Sequence, residues 1–184
     1  MVRKISEVPH FHVRNYLFSC RNFPTEGQKN TLIRNEQHAM IALIQRVTEA
    51  SVAIDQKVTA QIGVGILALV GIEKPDTHKS AEELARKILT FRLFSDSDGK
   101  MNLDIQGTQG QILLVPQFTL VADTHKGRRP GFSNAATPAQ GREMFDELVS
   151  IFTKTGLTMG TGTFGADMKV ALINDGPVTF WLQT

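Results

Sequence analysis

The sequence predicts an α+β protein whose mostly antiparallel, barrel-like sheet is covered by two main helices. Three observations lead there. Short apolar stretches, some alternating and some continuous, recur from residue 40 onward. Two longer stretches carry apolar residues at helical spacing. The elements then follow one another as strands, helix, strands, helix, strands, which is an order of segregated layers.

Taken in order, "IALIQRVTEASVAID" alternates around Ala50, "VTAQIG" follows a polar turn, and "GILALVGI" is a continuous run suited to a central strand. "SAEELARKILTFRLF" places Ala81, Leu84, Ala85, Ile88 and Leu89 on one helical face, and Ser80 with Glu83 has the pattern of a capping box. Asp98-Gly99 is a hairpin signal. "QILLVPQFTL" is the next strand, with Pro116 at an edge or a bulge. A loop from Asp123 to Ala136 holds the basic cluster "HKGRRPGF". The second helix opens at "TPAQ", where Thr137 caps, Pro138 takes the first helical position and Gln140 reaches back. Met144, Phe145, Leu148, Val149 and Phe152 form its stripe, and Gly156 ends it. "DMKVALIN" and "VTFWLQT" read as two closing strands around a turn at "NDGP".

Length and composition bound the function classes. A chain of 184 residues suits one well-buried core, and 41% hydrophobic with 21% charged residues is the balance of a soluble protein. No apolar run approaches the roughly 20 residues of a membrane span. The single cysteine, Cys20, has no partner for an internal disulfide, and no hydrophobic signal segment is visible, so the expected compartment is the cytoplasm.

Residues 1–39 lack a sustained period and are interrupted by Pro9 and Pro24, which marks them as an N-terminal extension to a domain at 40–184. The extension reads as a basic presequence, which Glu7, Glu26 and Glu36 argue against, or as an over-long start or a cloning leader, since Met40 opens the first regular segment. It carries six Lys/Arg against three Asp/Glu, while the rest carries fourteen against fifteen. A nucleic acid would therefore have to be met by a local basic patch.

Common catalytic signatures are missing. The histidines at 10, 12, 38, 78 and 125 are scattered, which gives no metal-ligand spacing in the domain. The glycines of "GVGILALVG" lead into an apolar strand without the Lys-Ser/Thr of a phosphate loop. Thr119 with His125 is the one pair with the look of a nucleophile and base, and it reads more simply as a strand residue beside a solvated loop. What remains are small, stiff or permissive residues in "PQFTL", "GADM" and "DGPVT". Chemistry there would use fixed backbone donors, which can stabilise the oxyanion formed when water attacks an ester.

"MIALIQRVTEASV", "VPQFTLVADT", "KGRRPGFS" and "TGTFGADMKVALINDGPVTFWL" occur in order, and with them residues 40–184 resemble the D-aminoacyl-tRNA deacylase family. Two departures stand out: Pro116 and Gly131 occupy positions where the family usually has Ser. The resemblance implies a homodimer that hydrolyses the ester between a D-amino acid and tRNA without metal or organic cofactor. It implies that Gly176-Pro177 is cis and projects into the partner subunit's pocket as a chiral gate. Gln117, Phe118 and Thr119 match the catalytic pocket, through main-chain donors at Gln117 and Phe118, and Arg46, Phe164 and Met168 match further pocket positions. Lys126, Arg128 and Arg129 become contacts for the tRNA acceptor end, with a solvated basic loop as the alternative. A filter that acts on Cβ implies that glycyl-tRNA is hydrolysed as well.

Three other readings stay open. A sister deacylase that edits a mischarged L-aminoacyl-tRNA has Thr in place of the gate glycine. A non-catalytic nucleic-acid-binding module would keep the same fold. A purely structural dimer would leave Gly176-Pro177 as a tight turn.

Overall fold

Strand β1 (Ile41–Ile54) is the spine of the sheet, and its 14 residues run without a break because Ile41, Ala42, Ile44, Val47, Ala50 and Val52 are all buried. The computed structural model describes residues 40–125 and 127–184, so the expectations for residues 1–39, Cys20 and Lys126 lie outside the described residues.

A tight turn with positive φ at Asp55 and Gln56 returns the chain as β2 (Lys57–Ile62), antiparallel to the far half of β1. β3 (Gly65–Gly71) pairs antiparallel with the near half, from Ile41↔Gly71 to Val47↔Gly65. β8 (Lys169–Gln183) overlaps both of those ranges in its antiparallel pairing with β1, so it holds the opposite edge. Between them lie α1 (His78–Thr90), the short pair β4 (Phe94–Ser95) and β5 (Met101–Leu103), β6 (Gln111–Pro116), α2 (Pro138–Thr153) and β7 (Met159–Thr161).

Antiparallel pairings account for three of the five in the main sheet, and the sheet is mixed: β3–β6 and β6–β7 are parallel. The parallel pairs are those joined through α1 and α2, as a crossover requires. β2 bends back toward β7, and a Cβ on Gly160 would stand 3.3 Å from the Cβ of Ala60, which brings the sheet close to a barrel.

Alternation along β6 explains its unbroken apolar run. Ile112 and Leu114 join the core under the helices with Leu84, Ile88, Met144 and Phe152, while Leu113 and Val115 join a second cluster with Val47, Val52, Ile62 and Leu67. Both faces of the central strands are buried, so neither face needs polar residues.

Four local expectations are corrected. The cap of α1 is Thr77, one turn earlier than Ser80; Ser80 instead accepts the Thr77 amide on its hydroxyl at 3.2 Å. Thr137 does accept the Gln140 amide at 3.3 Å, but the Gln140 side chain donates to the Lys74 carbonyl at 2.6 Å and ties α2 to the segment before α1. "QFTL" is a 3-10 turn over Phe118–Val121, because the strand ends at Pro116, which has no amide to extend the ladder. "NDGP" is not a turn between two strands; it interrupts the single strand β8.

The Asp98-Gly99 hairpin forms as expected, with Gly99 at φ 76. Its Asp96 carboxylate accepts from the Lys100 amide, the Asn102 side chain and the Asp98 amide, which holds the carboxyl below its usual range.

Gly65 marks the tightest backbone approach between strands. A Cβ there would lie 1.8 Å from the Gln111 carbonyl oxygen, and Gln111 is itself fixed by the Val64 carbonyl and by the Gly63 amide on its side chain. Gly65→Ala is therefore expected to lower stability by about 3 kcal/mol or more, read by chemical denaturation. A loss below about 1 kcal/mol would mean that β3 and β6 separate at little cost.

Candidate functional site

Two features leave the regular sheet, and each is built by a local break in pairing. The first follows Pro116. The Gln117 amide donates to the Val70 carbonyl at 2.6 Å, which anchors the chain as it turns away. Leu120 and Ala122 then donate to the Gln117 and Thr119 carbonyls at 3.2 Å. The opening amides of a helical turn have no partner inside it. Among the described residues, those of Phe118 and Thr119 have no acceptor. This corrects the expected donor pair: the Gln117 amide is already engaged, which leaves Phe118 and its neighbour.

The Gln117 side chain donates to the Thr119 hydroxyl at 2.5 Å. Thr119 is thus an exposed residue of the 3-10 turn held by an amide, rather than a strand residue paired with an imidazole. His125 makes a main-chain bond to the Asp123 carboxylate at 2.9 Å.

Beside this turn lies an apolar cleft of about 310 Å³ lined by Pro116, Phe118, Ala136, Pro138, Phe164 and Gly165, among others. The Phe164 ring reaches it because Gly141 has no side chain; a Cβ there would stand 3.0 Å from the ring. Arg142 covers the ring at 5.3 Å and donates to the Phe164 carbonyl at 3.2 Å. Met168 is not among the residues lining the cleft, and it packs against the barrel-side cluster, with its sulfur pressed toward Gly162.

The second feature is the interruption of β8. Asn174 pairs with Val47 and Thr179 with Gln45, so five steps on β8 face two on β1 and the residues between are extruded. Asn174 closes the neck: its side-chain oxygen accepts the Val178 amide at 2.7 Å, and its nitrogen donates to the Val178 carbonyl at 3.3 Å and the Thr179 hydroxyl at 3.2 Å.

Arg46 props the base. Its Nε donates to the Asp175 carbonyl at 3.1 Å and lies 3.0 Å from the Asp175 carboxylate, while Nη1 donates to the Leu93 carbonyl at 2.7 Å. Val178 turns into the core, and Gly176 and Pro177 are left exposed at the tip with a cis bond between them.

The two features stand apart within one chain. Arg46 pairs with Ile66, Ile66 with Ile112, and Pro116 lies four residues further along β6. That amounts to about 13 Å along the strands and three inter-strand spacings, about 14 Å, across them. Gln117, Phe118, Thr119 and Phe164 are brought together, as are Arg46, Gly176 and Pro177, and the two groups are not brought to one another.

Arg128 and Arg129 are exposed on a loop whose ends are joined by Asp123 and Gly131, through amide–carbonyl bonds of 2.8 and 2.9 Å. Phe132 follows at once, 5.2 Å from the Phe118 ring.

A model described as D-Tyr-tRNA(Tyr) deacylase matches residues 43–183. The chain belongs to the D-Tyr-tRNA(Tyr) deacylase family. It is 53% identical over 144 residues to a D-aminoacyl-tRNA deacylase of Sodalis glossinidius (strain morsitans), covering 78% of this chain and 99% of that one. A D-aminoacyl-tRNA deacylase of Erwinia tasmaniensis is 54% identical over the same lengths. Among solved structures, the c-Myc DNA Unwinding Element Binding Protein superposes with a TM-score of 0.75 at 39% identity, over 78% of this chain and 98% of that chain. A structure described as a probable eukaryotic D-amino acid tRNA deacylase shares the fold, with a TM-score of 0.72 at 15% identity over 79% of this chain and all of that one. Membership of the deacylase family covers both features described above, from Arg46 to Pro177.

Asn174, Asp175 and Phe132 went unremarked in the sequence as functional positions. The first two sat inside an apparent turn, and the third was masked by the cations beside it.

Asn174→Ala removes three hydrogen bonds at the neck and leaves the buried Val178 amide without its acceptor. A loss of about 1–3 kcal/mol is expected, with faster hydrogen exchange at Val178 than at Leu172. Unchanged Val178 exchange would show that the excursion is held by Arg46 alone.

Proposed function

We propose that this protein is a D-aminoacyl-tRNA deacylase, hydrolysing the ester between a D-amino acid and tRNA and sparing L-aminoacyl-tRNA. The observation that carries the reading is the rigid, exposed Gly176-Pro177 excursion, pinned at its neck by Asn174 and at its base by Arg46, in a chain of the deacylase family. A fixed main chain can exclude one direction for the substrate's Cβ while its carbonyl oxygens hold the α-ammonium. Such a filter discriminates chirality and tolerates many side chains.

The excursion works in a second copy of the chain. Its distance from its own cleft supports this, as does the outer edge of β8, which among the described residues pairs with no further strand and where Ile173 and Trp181 are about half exposed. A homodimer would cover that edge. The amides of Phe118 and Thr119 polarise the ester carbonyl and stabilise the oxyanion. Water attacks, assisted by the terminal ribose 2′-OH, since among the described residues none of those lining the cleft at Phe118 carries a titrating side chain. Gln117 and Phe164 shape the pocket, and Met168 supports its wall from behind. Arg128, Arg129 and Lys126 meet acceptor-end phosphates. The substrate sets the compartment, the cytoplasm. No helix among the described residues is long and apolar enough to cross a membrane.

Gly176, rather than Thr, favours D-specific hydrolysis over editing of a mischarged L-aminoacyl-tRNA. A second reading, nucleic-acid binding without catalysis, draws on the 39% identity to a protein described as binding a DNA unwinding element.

Deacylation of matched D- and L-tyrosyl-tRNA separates the readings. The wild type is expected to clear the D-ester and leave the L-ester, and to hydrolyse glycyl-tRNA, which offers no Cβ. Gly176 stands at φ 147, and a Cβ on it would lie 2.6 Å from Val178, so Gly176→Ala is expected to cut turnover of the D-ester at least tenfold, or about 1.4 kcal/mol. Inertness toward both tyrosyl esters would sink the enzyme reading; intact glycyl-tRNA beside rapid D-tyrosyl turnover would sink the Cβ filter. Removing the ribose 2′-OH should slow the wild type strongly, and an equal rate would eliminate its role.

A further inference from the structure

We infer that Phe118 and Phe132 form a stacking platform for the unpaired 3′ end of RNA, with Phe132 taking the base that precedes the terminal nucleotide. The inference deepens the deacylase reading and rests on it for the identity of the RNA. Phe118 and Phe132 are 60% and 39% exposed, and their ring centroids are 5.2 Å apart with a tilt of 47°. Two neighbouring phenylalanines facing solvent offer flat apolar area with little side-chain entropy left to lose.

Both rings stand on fixed backbone. Phe118 opens the 3-10 turn anchored through Gln117 to Val70. Phe132 follows the Asp123–Gly131 bridge; its carbonyl accepts the Ala135 amide at 3.1 Å, and Ala136 donates to Ile72 at 3.1 Å. Both rings are therefore tied by backbone hydrogen bonds to residues at or just beyond the end of β3 rather than carried on an unsupported loop.

Position gives the order of contacts. Phe118 lines the cleft and Phe132 does not, so a nucleotide seated against Phe118 passes its upstream neighbour to Phe132. Arg128 and Arg129 lie four and three residues before Phe132, exposed and, among the described residues, without a carboxylate partner. Aromatic faces flanked by cations suit a single strand, whose bases expose their π-faces, and do not suit a duplex, whose bases are already stacked.

The test uses the full chain and two substrates, D-tyrosyl-tRNA and D-tyrosyl-adenosine, which lacks the upstream nucleotides. Phe132→Leu is expected to raise KM for the tRNA about tenfold more than for the adenosine ester, the scale of one lost base stack, and Phe132→Tyr to restore it. An equal rise on both substrates would overturn the assignment and leave Phe132 as a prop for Phe118; no rise on either would overturn it too. A second measurement does not depend on hydrolysis. An unacylated RNA hairpin with a single-stranded 3′ tail, carrying 2-aminopurine at the penultimate base, should be quenched by the wild type and bind Phe132→Leu about tenfold more weakly. Quenching and binding unaffected by Phe132→Leu would overturn the platform, whether or not the protein deacylates tRNA. A Phe132-dependent signal beside inert D-tyrosyl-tRNA would keep the platform and remove the deacylase reading.

Discussion

The pairing of β1 with β8 is the constraint on which both the fold and its exposed main chain depend. β1 holds β3 and β2 on one edge and β8 along the other, so a slip against β8 cannot be relieved by moving β1 without disturbing two other ladders. Five steps opposite two must therefore leave the plane of the sheet. Asn174 supplies local bonds where the ladder is missing, and Arg46 meets the displaced Asp175 with both its backbone and its carboxylate. An excursion braced in this way projects glycine and proline without the mobility of an ordinary loop.

A second break, at Pro116, is opposite in kind. Here the sheet ends because a donor is missing rather than because residues are in excess. The next amide, on Gln117, makes the last rung with β3 at Val70, and the chain then coils into a turn that leaves the following amides open. The closely packed apolar layers on both faces of β6 hold its end in place, since Leu114 and Val115 are fully or almost fully buried on opposite sides. Pro116 ends the strand and lines the cleft, a role that needs no hydroxyl.

Much of the fold was legible because its signals are local. The alternation in β1, the continuous apolar runs of β3 and β6, the stripes of both helices and the Asp98-Gly99 hairpin all depend on residues near in sequence. The failures were non-local. Nothing in "NDGP" reveals that the chain on either side of it pairs with the same strand, so turn chemistry was read as a turn. "QFTL" has strand-forming residues, yet its first amide makes the last rung with Val70 and the chain turns away beyond it, where β6 has ended at Pro116. The Thr77 cap was displaced in reading because Ser80 and Glu83 offer a stronger local pattern than Thr77 does. In the candidate site, Gly176, Pro177 and Phe118 were found as motif members. The supports, Asn174 and Asp175, were hidden because their partners lie more than 100 residues away or across a supposed turn. Phe132 was legible as a residue and not as a surface, since its neighbour Phe118 is 14 positions earlier.

The same geometry explains why titrating groups play so small a part in the proposed chemistry. An ester needs an attacking water and a place for negative charge, and aligned amides meet the second need without a change of protonation. Discrimination between mirror-image residues needs something different: atoms that do not yield. A long side chain at the gate would keep rotamer freedom and could swing aside for an L-residue. A backbone excursion closed by an asparagine and held by an arginine has no such freedom, which is why the proposed selectivity rests on residues that have little or no side chain to move.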